Sequence, residues 1–140
     1  MRYYAVYDTN VLISSLLTKN ADSATAQVVD AIANGDVIPL YDQEILDEYM
    51  NVLHRPKFSF STDRIQKMMM MIRQFGLAVN ASPTGEILPD MDDLVFYEVV
   101  MEKRDEDAYL ITGNLRHFPS RSYIVTPAEM MEIISQRDLK

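Results

Sequence analysis

The chain has 140 residues, of which 48% are hydrophobic, and its formal net charge is −8. This length suits one domain with one packed core, and this hydrophobic content argues against an intrinsically disordered chain. The absence of cysteine excludes disulfides, thiolate metal sites and cysteine nucleophiles, and it is typical of a reducing compartment. The acidic balance argues against broad neutralisation of nucleic-acid phosphates, but it is compatible with an acidic cluster that binds divalent cations.

The apolar segments of the sequence are too short for a signal-peptide core or a membrane span. The N-terminal apolar run, Tyr3–Tyr7, is shorter than the roughly 7–15 residues of a signal-peptide core. No stretch approaches the roughly 18 apolar residues of a membrane span. We therefore expect a soluble, cytoplasmic protein with no membrane partner.

Short apolar runs alternate with amphipathic segments along the chain. In chain order, the pattern predicts a strand at Tyr3–Tyr7, helices at Val11–Leu17 and Ala24–Ala33, a strand at Val37–Leu40, helices at Gln43–Leu53 and Thr62–Phe75, a short strand at Leu77–Val79, a helix at Asp93–Lys103, strands at Tyr109–Thr112 and Tyr123–Val125, and a helix that Pro127 opens. This alternation predicts one α/β domain over residues 1–140, with three α/β/α layers around a mostly parallel sheet. Sites in such sheets form outside the carboxyl ends of the strands.

Asp8 follows the first predicted strand directly, where desolvation makes a charge costly. Capping of the next helix is one explanation, because Asp is a good N-cap residue. Thr9 or Asn10 could cap that helix instead, so capping does not by itself account for Asp8.

One acid on the third helix differs from its neighbours. The apolar stripe of this helix is centred near Tyr49, and at about 100° per residue Glu48 falls at its edge. Glu44 and Asp47 point further into solvent, where charged side chains usually lie. Glu48 is therefore the acid of this helix that can reach a cleft.

Three acids, Asp90, Asp92 and Asp93, precede the most apolar helix. Capping and the helix dipole favour acids there, but one cap suffices. Asp93 is the best placed to face inward, and Asp90 lies three residues earlier on the approaching loop. A fourth polar group, Thr112-Gly113-Asn114, lies at the end of a later strand, where a simple turn is by itself the better explanation.

A parallel sheet can bring these acids and amides to one edge. Two carboxylates about 5 Å apart repel by roughly 3 kcal/mol at an effective dielectric near 20, so one would take up a proton unless a cation compensates. Oxygen ligands completed by water suit Mg²⁺ or Mn²⁺. Two such ions can clamp the attacking water and the leaving oxygen of a phosphodiester. The pattern thus indicates metal-dependent phosphodiester chemistry.

Four segments follow one another along the chain: YDTNVLISSLL, DQEILDEYMNVLHRPKF, DMDDLVFYEVV, and AYLITGNLRHFP followed by IVTPAEMMEII. In their order and spacing they resemble the PIN domain (PilT N-terminal) nucleases, near the toxin-like branch of toxin–antitoxin systems. The resemblance implies a metal-dependent endoribonuclease in which Asp8, Glu48 and Asp93 bind Mg²⁺ or Mn²⁺ and serve as the catalytic acids. It gives Asn10 and Thr112 supporting roles in orienting those acids.

The chain departs from the family pattern at Asn114, which occupies the fourth acidic position. A neutral carboxamide offers one weaker oxygen ligand, so this position puts a second metal in question, and Asp90 or Asp92 remains as a substitute. His117, on the same loop, could assist phosphate or proton transfer, but a lone histidine favours an ordinary surface position. The resemblance further implies an RNA substrate, a cognate antitoxin and a homodimer.

The sequence is compatible with one other class of function and argues against another. Asn114 and the net charge of −8 are compatible with a non-catalytic PIN-like module that binds RNA or a basic protein partner. An aspartyl-phosphate phosphatase is disfavoured, because Asn10 stands where that chemistry needs a second acid.

Overall fold

A computed structural model describes residues 2–137. Within them, five parallel strands form one sheet in the order β3-β2-β1-β4-β5. The strands are β1 (Tyr3–Tyr7), β2 (Val37–Tyr41), β3 (Leu77–Ala78), β4 (Tyr109–Ile111) and β5 (Ile124–Val125). The helices are α1 (Thr9–Leu17), α2 (Ala24–Ala33), α3 (Gln43–Leu53), α4 (Thr62–Phe75), α5 (Leu94–Met101) and α6 (Pro127–Arg137). The prediction of three α/β/α layers around a parallel sheet is confirmed.

The core forms where the central strands meet the apolar faces of the helices. β1 lies between β2 and β4, and its last three residues are buried. α5 packs against β1, β2 and β4, and α2 contacts α1, α4 and α6. Met68 and Met69 of α4 share the buried face of this helix with Ile65 and Ile72, whereas Met70 is 66% exposed. No helix among residues 2–137 is long and apolar enough to cross a membrane.

Two helices begin at other residues than predicted, and both of these differences affect acids; α5 also ends at Met101 and not at Lys103. α1 begins at Thr9, two residues earlier than predicted, so Asp8 itself occupies the N-cap position, with extended backbone. The helix predicted at Asp93–Lys103 is α5, which begins at Leu94, because residues 91–93 form a 3₁₀ turn. The Asp90 side chain caps that turn by accepting a hydrogen bond from the Asp92 amide at 3.0 Å. Asp93 therefore lies at the junction between the turn and the helix.

Candidate active site

The strand register brings Asp8 and Thr112 together. β1 and β4 pair with Tyr7 beside Ile111, so the next residue of each strand leaves the sheet at the same point. The Asp8 amide donates to the Ile111 carbonyl at 2.9 Å, and the Thr112 hydroxyl donates to Asp8 Oδ2 at 2.8 Å. Both side chains are buried, and the Asp8 carboxylate makes no capping bond to α1. Asp8 occupies the cap position, but its carboxylate is directed into the site.

Asn10 links the first-strand loop to the loop that follows β4. Its Nδ2 donates to Asp8 Oδ2 at 3.2 Å, and its Oδ1 accepts from the Gly113 amide at 3.2 Å. Both ends of the carboxamide are thus used, and Asn10 holds the Asp8 carboxylate against the β4 loop. The resemblance gives Asn10 a role in orienting the acids, and these two hydrogen bonds are compatible with that role.

Glu48 reaches the same edge from α3. The Thr9 hydroxyl donates to Glu48 Oε2 at 3.3 Å, and the neighbouring Tyr49 hydroxyl donates to the Tyr7 carbonyl. Because Tyr49 is buried, this second bond fixes α3 over the end of β1. Glu48 is half-buried, whereas Glu44 and Asp47 are exposed, as the helical periodicity predicted.

Asp93 is tied to the β4 loop through His117. The imidazole Nδ1 lies 3.1 Å from Asp93 Oδ2, and Nε2 lies 2.9 Å from Asn114 Nδ2. With the Asn114 NH₂ group turned toward Nε2, both contacts are satisfied when Nε2 accepts and Nδ1 carries the proton that faces Asp93. The backbone amide of Asn114 in turn donates to the Thr112 hydroxyl at 3.0 Å. A continuous chain of contacts therefore runs from Asp93 through His117, Asn114 and Thr112 to Asp8.

The acids perturb one another electrostatically. Burial raises the pKa of Asp8, whereas the hydrogen bonds from Thr112 and Asn10 and the nearby His117 lower it. Burial also raises the pKa of Glu48, with a further contribution from the negative charge of Asp8.

The largest of these shifts falls on Asp93, whose side chain is only 15% exposed. Burial, followed by the charges of Asp8 and Asp90, raises the pKa of Asp93 to about 6. His117 acts in the opposite direction. The three acids on which the prediction depends therefore share one electrostatic environment that disfavours their ionised forms.

The donor chemistry of this edge fits a hard divalent cation, but the side chains are not gathered around one point. The carboxylates of Asp8, Glu48 and Asp93 are oxygen donors whose mutual repulsion a cation would relieve. Within residues 2–137, however, no group of three or more acidic or imidazole side chains lies close enough to hold a metal ion as placed. The other two predicted residues are a capping acid, Asp90, and Asn114, whose carboxamide nitrogen contacts His117.

His117 combines the predicted surface position with contacts in the site. Its side chain is 40% exposed, and both ring nitrogens contact predicted site residues. The sequence signal is its spacing of three residues after Asn114, which is the N-cap residue of the 3₁₀ turn Leu115–His117; residues three apart in such a turn lie on the same side. Thr9 was also considered only as a cap, whereas its hydroxyl contacts Glu48.

The fold and the polar edge together define a class of protein, which the comparisons identify. A PIN domain family model matches residues 4–116, and the chain therefore belongs to the PIN domain family. Members of this family are generally nucleases and typically use divalent metal ions.

Among solved structures, the fold is similar to that in the crystal structure of PAE2754 from Pyrobaculum aerophilum. The TM-score is 0.55, and the match covers 96% of this chain and 90% of the other. At 12% identity this likeness supports the fold alone. The comparison with curated proteins finds no match.

Proposed function

We propose that this protein is a metal-dependent endoribonuclease. The observation that carries the proposal is the hydrogen bond from Thr112 to Asp8 at the ends of adjacent parallel strands. It directs a buried carboxylate into a site that also perturbs Glu48 and Asp93. Burial of a carboxylate costs free energy, and acids with such perturbed pKa values cluster at functional sites.

In this proposal Asp8, Glu48 and Asp93 hold Mg²⁺ or Mn²⁺, with water completing the coordination. The bound cation would activate a water and neutralise charge on the phosphodiester. Asn10 and Thr112 keep the Asp8 carboxylate oriented through their hydrogen bonds to Oδ2.

The other end of the site is positioned in the same way. The Nδ1 proton of His117 holds the Asp93 carboxylate, and Asn114 holds the imidazole through Nε2. Asp90 lies beside this pair, where its carbonyl accepts a hydrogen bond from the Asp93 amide at 3.1 Å, and its negative charge raises the pKa of Asp93.

The proposal extends to the biological setting suggested by the sequence motifs. We propose that residues 1–140 form one domain that acts in the cytoplasm, as a homodimer and as the toxin of a toxin–antitoxin pair. The motifs quoted above are similar to the toxin-like branch, and this similarity is the support for these parts. Light scattering of the purified protein tests the homodimer, and co-purification with a neighbouring gene product tests the antitoxin.

The direct test is RNA cleavage by the purified, inhibitor-free protein with Mg²⁺ or Mn²⁺, and with EDTA. We expect cleavage that requires the metal and is lost in Asp8→Asn and in Asp93→Asn. Asp47→Asn is the matched control, because it makes the same chemical change at an exposed position of α3. Cleavage by Asp8→Asn at the rate of the unmodified protein would contradict the proposal, as would a folded protein that never cuts.

A non-catalytic binding module is the second candidate, and Asn114 is the observation that favours it. Its amide group is engaged with His117, and it replaces a charged ligand by a neutral one. Calorimetric titration with Mn²⁺ separates the candidates. Binding that disappears in Asp93→Asn supports the nuclease, whereas a protein that binds RNA but takes up no Mn²⁺ supports the module.

A further inference from the structure

A second surface cluster lies in the segment between α3 and α4. The rings of Phe58 and Phe60 stack with their centroids 5.5 Å apart and their planes within 9°. The Lys57 ammonium lies 5.1 Å from the centre of the Phe58 ring, and the Arg64 guanidinium lies 5.5 Å from that of Phe60. Both cations are exposed and both rings are partly exposed. We call these four side chains the aromatic platform.

Local backbone hydrogen bonds and the packing of Phe60 hold the platform in place. Residues Pro56–Phe58 form a 3₁₀ turn, in which the Phe58 amide donates to the Arg55 carbonyl at 3.1 Å. Ser59 then adopts a left-handed conformation with φ 53°, and its amide donates to the Pro56 carbonyl at 3.1 Å. Phe60 packs against the hydrophobic core. Phe58 stacks outside that core, so burial in it does not explain an aromatic residue there.

The platform also concentrates positive charge in an acidic protein. Between residues 54 and 67, one acid, Asp63, stands against four basic side chains: Arg55, Lys57, Arg64 and Lys67. The net charge of the whole chain is −8. A polyanion is therefore repelled by most of the surface and attracted at this segment.

The platform follows α3, the helix that carries Glu48 of the acid cluster described above. Arg55, at the edge of the platform, lies two residues beyond Leu53, the last residue of this helix. Glu48 lies about 8 Å along α3 from the end of that helix, at 1.5 Å per residue. A chain bound on the platform can therefore reach the acids within a short distance.

We infer that the aromatic platform binds single-stranded RNA, with a base stacked on Phe58 and with Lys57 and Arg55 on flanking phosphates. This inference rests on the proposed function, because the bound strand is the one that the acids would cut. Flat aromatic side chains interleaved with cations are the elements that single-stranded nucleic acids recognise. A duplex keeps its bases stacked inside and cannot offer them to Phe58. An acidic peptide would use the cations but not the stacked rings.

The test measures binding in EDTA, so that cleavage plays no part. Fluorescence anisotropy reports the affinity of the full chain for a labelled single-stranded oligoribonucleotide and for an RNA duplex. We expect Phe58→Ala to weaken single-strand binding about fivefold to 100-fold, in line with the stacking of one base, and to leave duplex binding unchanged. Phe75→Ala is the matched control, since Phe75 is 43% exposed, follows a basic residue by two positions and lies outside the platform.

Reversing the charge of one platform residue tests the inference independently. Lys57→Glu is expected to weaken single-strand binding and to flatten its salt dependence, whereas Arg73→Glu, which makes the same change of charge elsewhere, is not. The inference is overturned if Phe58→Ala binds like the unmodified protein, if Phe75→Ala loses as much affinity, or if no single strand binds. Cleavage that is absent while binding depends on Phe58 defeats only the proposed nuclease. Metal-dependent cleavage that persists while Phe58→Ala binds normally defeats only this inference.

Discussion

Replacing Asp93 by asparagine tests the electrostatic description of the site through stability alone. The folded protein raises the pKa of Asp93 from 3.8 to about 6. Because the folded state then holds the proton more tightly than the unfolded state, ionisation of Asp93 destabilises the fold. The penalty is absent below about pH 4 and complete above about pH 6. A shift of about two pH units sets an upper limit of about 3 kcal/mol.

We expect a smaller effect than this limit, because water still reaches part of the Asp93 side chain. In EDTA at pH 7.5, Asp93→Asn should unfold with a free energy about 1–2 kcal/mol higher than the unmodified protein. Its carboxamide oxygen can still accept the hydrogen bond from His117, so this contact is retained. At pH 4 the two proteins should be equally stable. Urea unfolding followed by circular dichroism measures both values.

Added metal should reverse the order. At 100 times the dissociation constant, Mn²⁺ stabilises the unmodified protein by about 2.7 kcal/mol, whereas Asp93→Asn should gain far less. Asp47→Asn is the control, because this exposed acid lies outside the cluster. If Asp93→Asn were no more stable than the unmodified protein at pH 7.5, while the control behaved normally, the argument from shared charge would be wrong.

Three further predictions concern the contacts of the site. Thr112→Val removes the hydroxyl that donates to Asp8, so it should raise the pKa of Asp8 and weaken Mn²⁺ binding in calorimetry, whereas Thr112→Ser should not. Asn114→Asp restores a charged oxygen ligand and should tighten Mn²⁺ binding; unchanged affinity would mean that this position does not face the cation. Tyr49→Phe removes the hydroxyl that donates to the Tyr7 carbonyl and should lower the unfolding free energy by about 1–2 kcal/mol, as denaturant titration would detect.

Local sequence patterns predicted most of the helices and strands. The apolar runs gave the approximate positions of β1, β2 and β4, because strands buried on both faces are continuously apolar. Periodicity separated Glu48 from Glu44 and Asp47, because on a helix the exposure of a residue follows from its angle to the apolar stripe. The helix boundaries at Thr9 and Leu94 were less predictable, because several acids and hydroxyls in a row can each cap a helix.

Which of these residues meet depends on the tertiary structure. Sequence patterns place polar residues after β1 and β4, but the pairing of Tyr7 with Ile111 brings Asp8 against Thr112, 104 positions later. The contact of His117 with Asp93 and the stack of Phe58 on Phe60 were likewise beyond sequence reasoning. Spacing along a chain fixes only local geometry, whereas such contacts depend on strand register and loop conformation, which the packing of the whole domain selects.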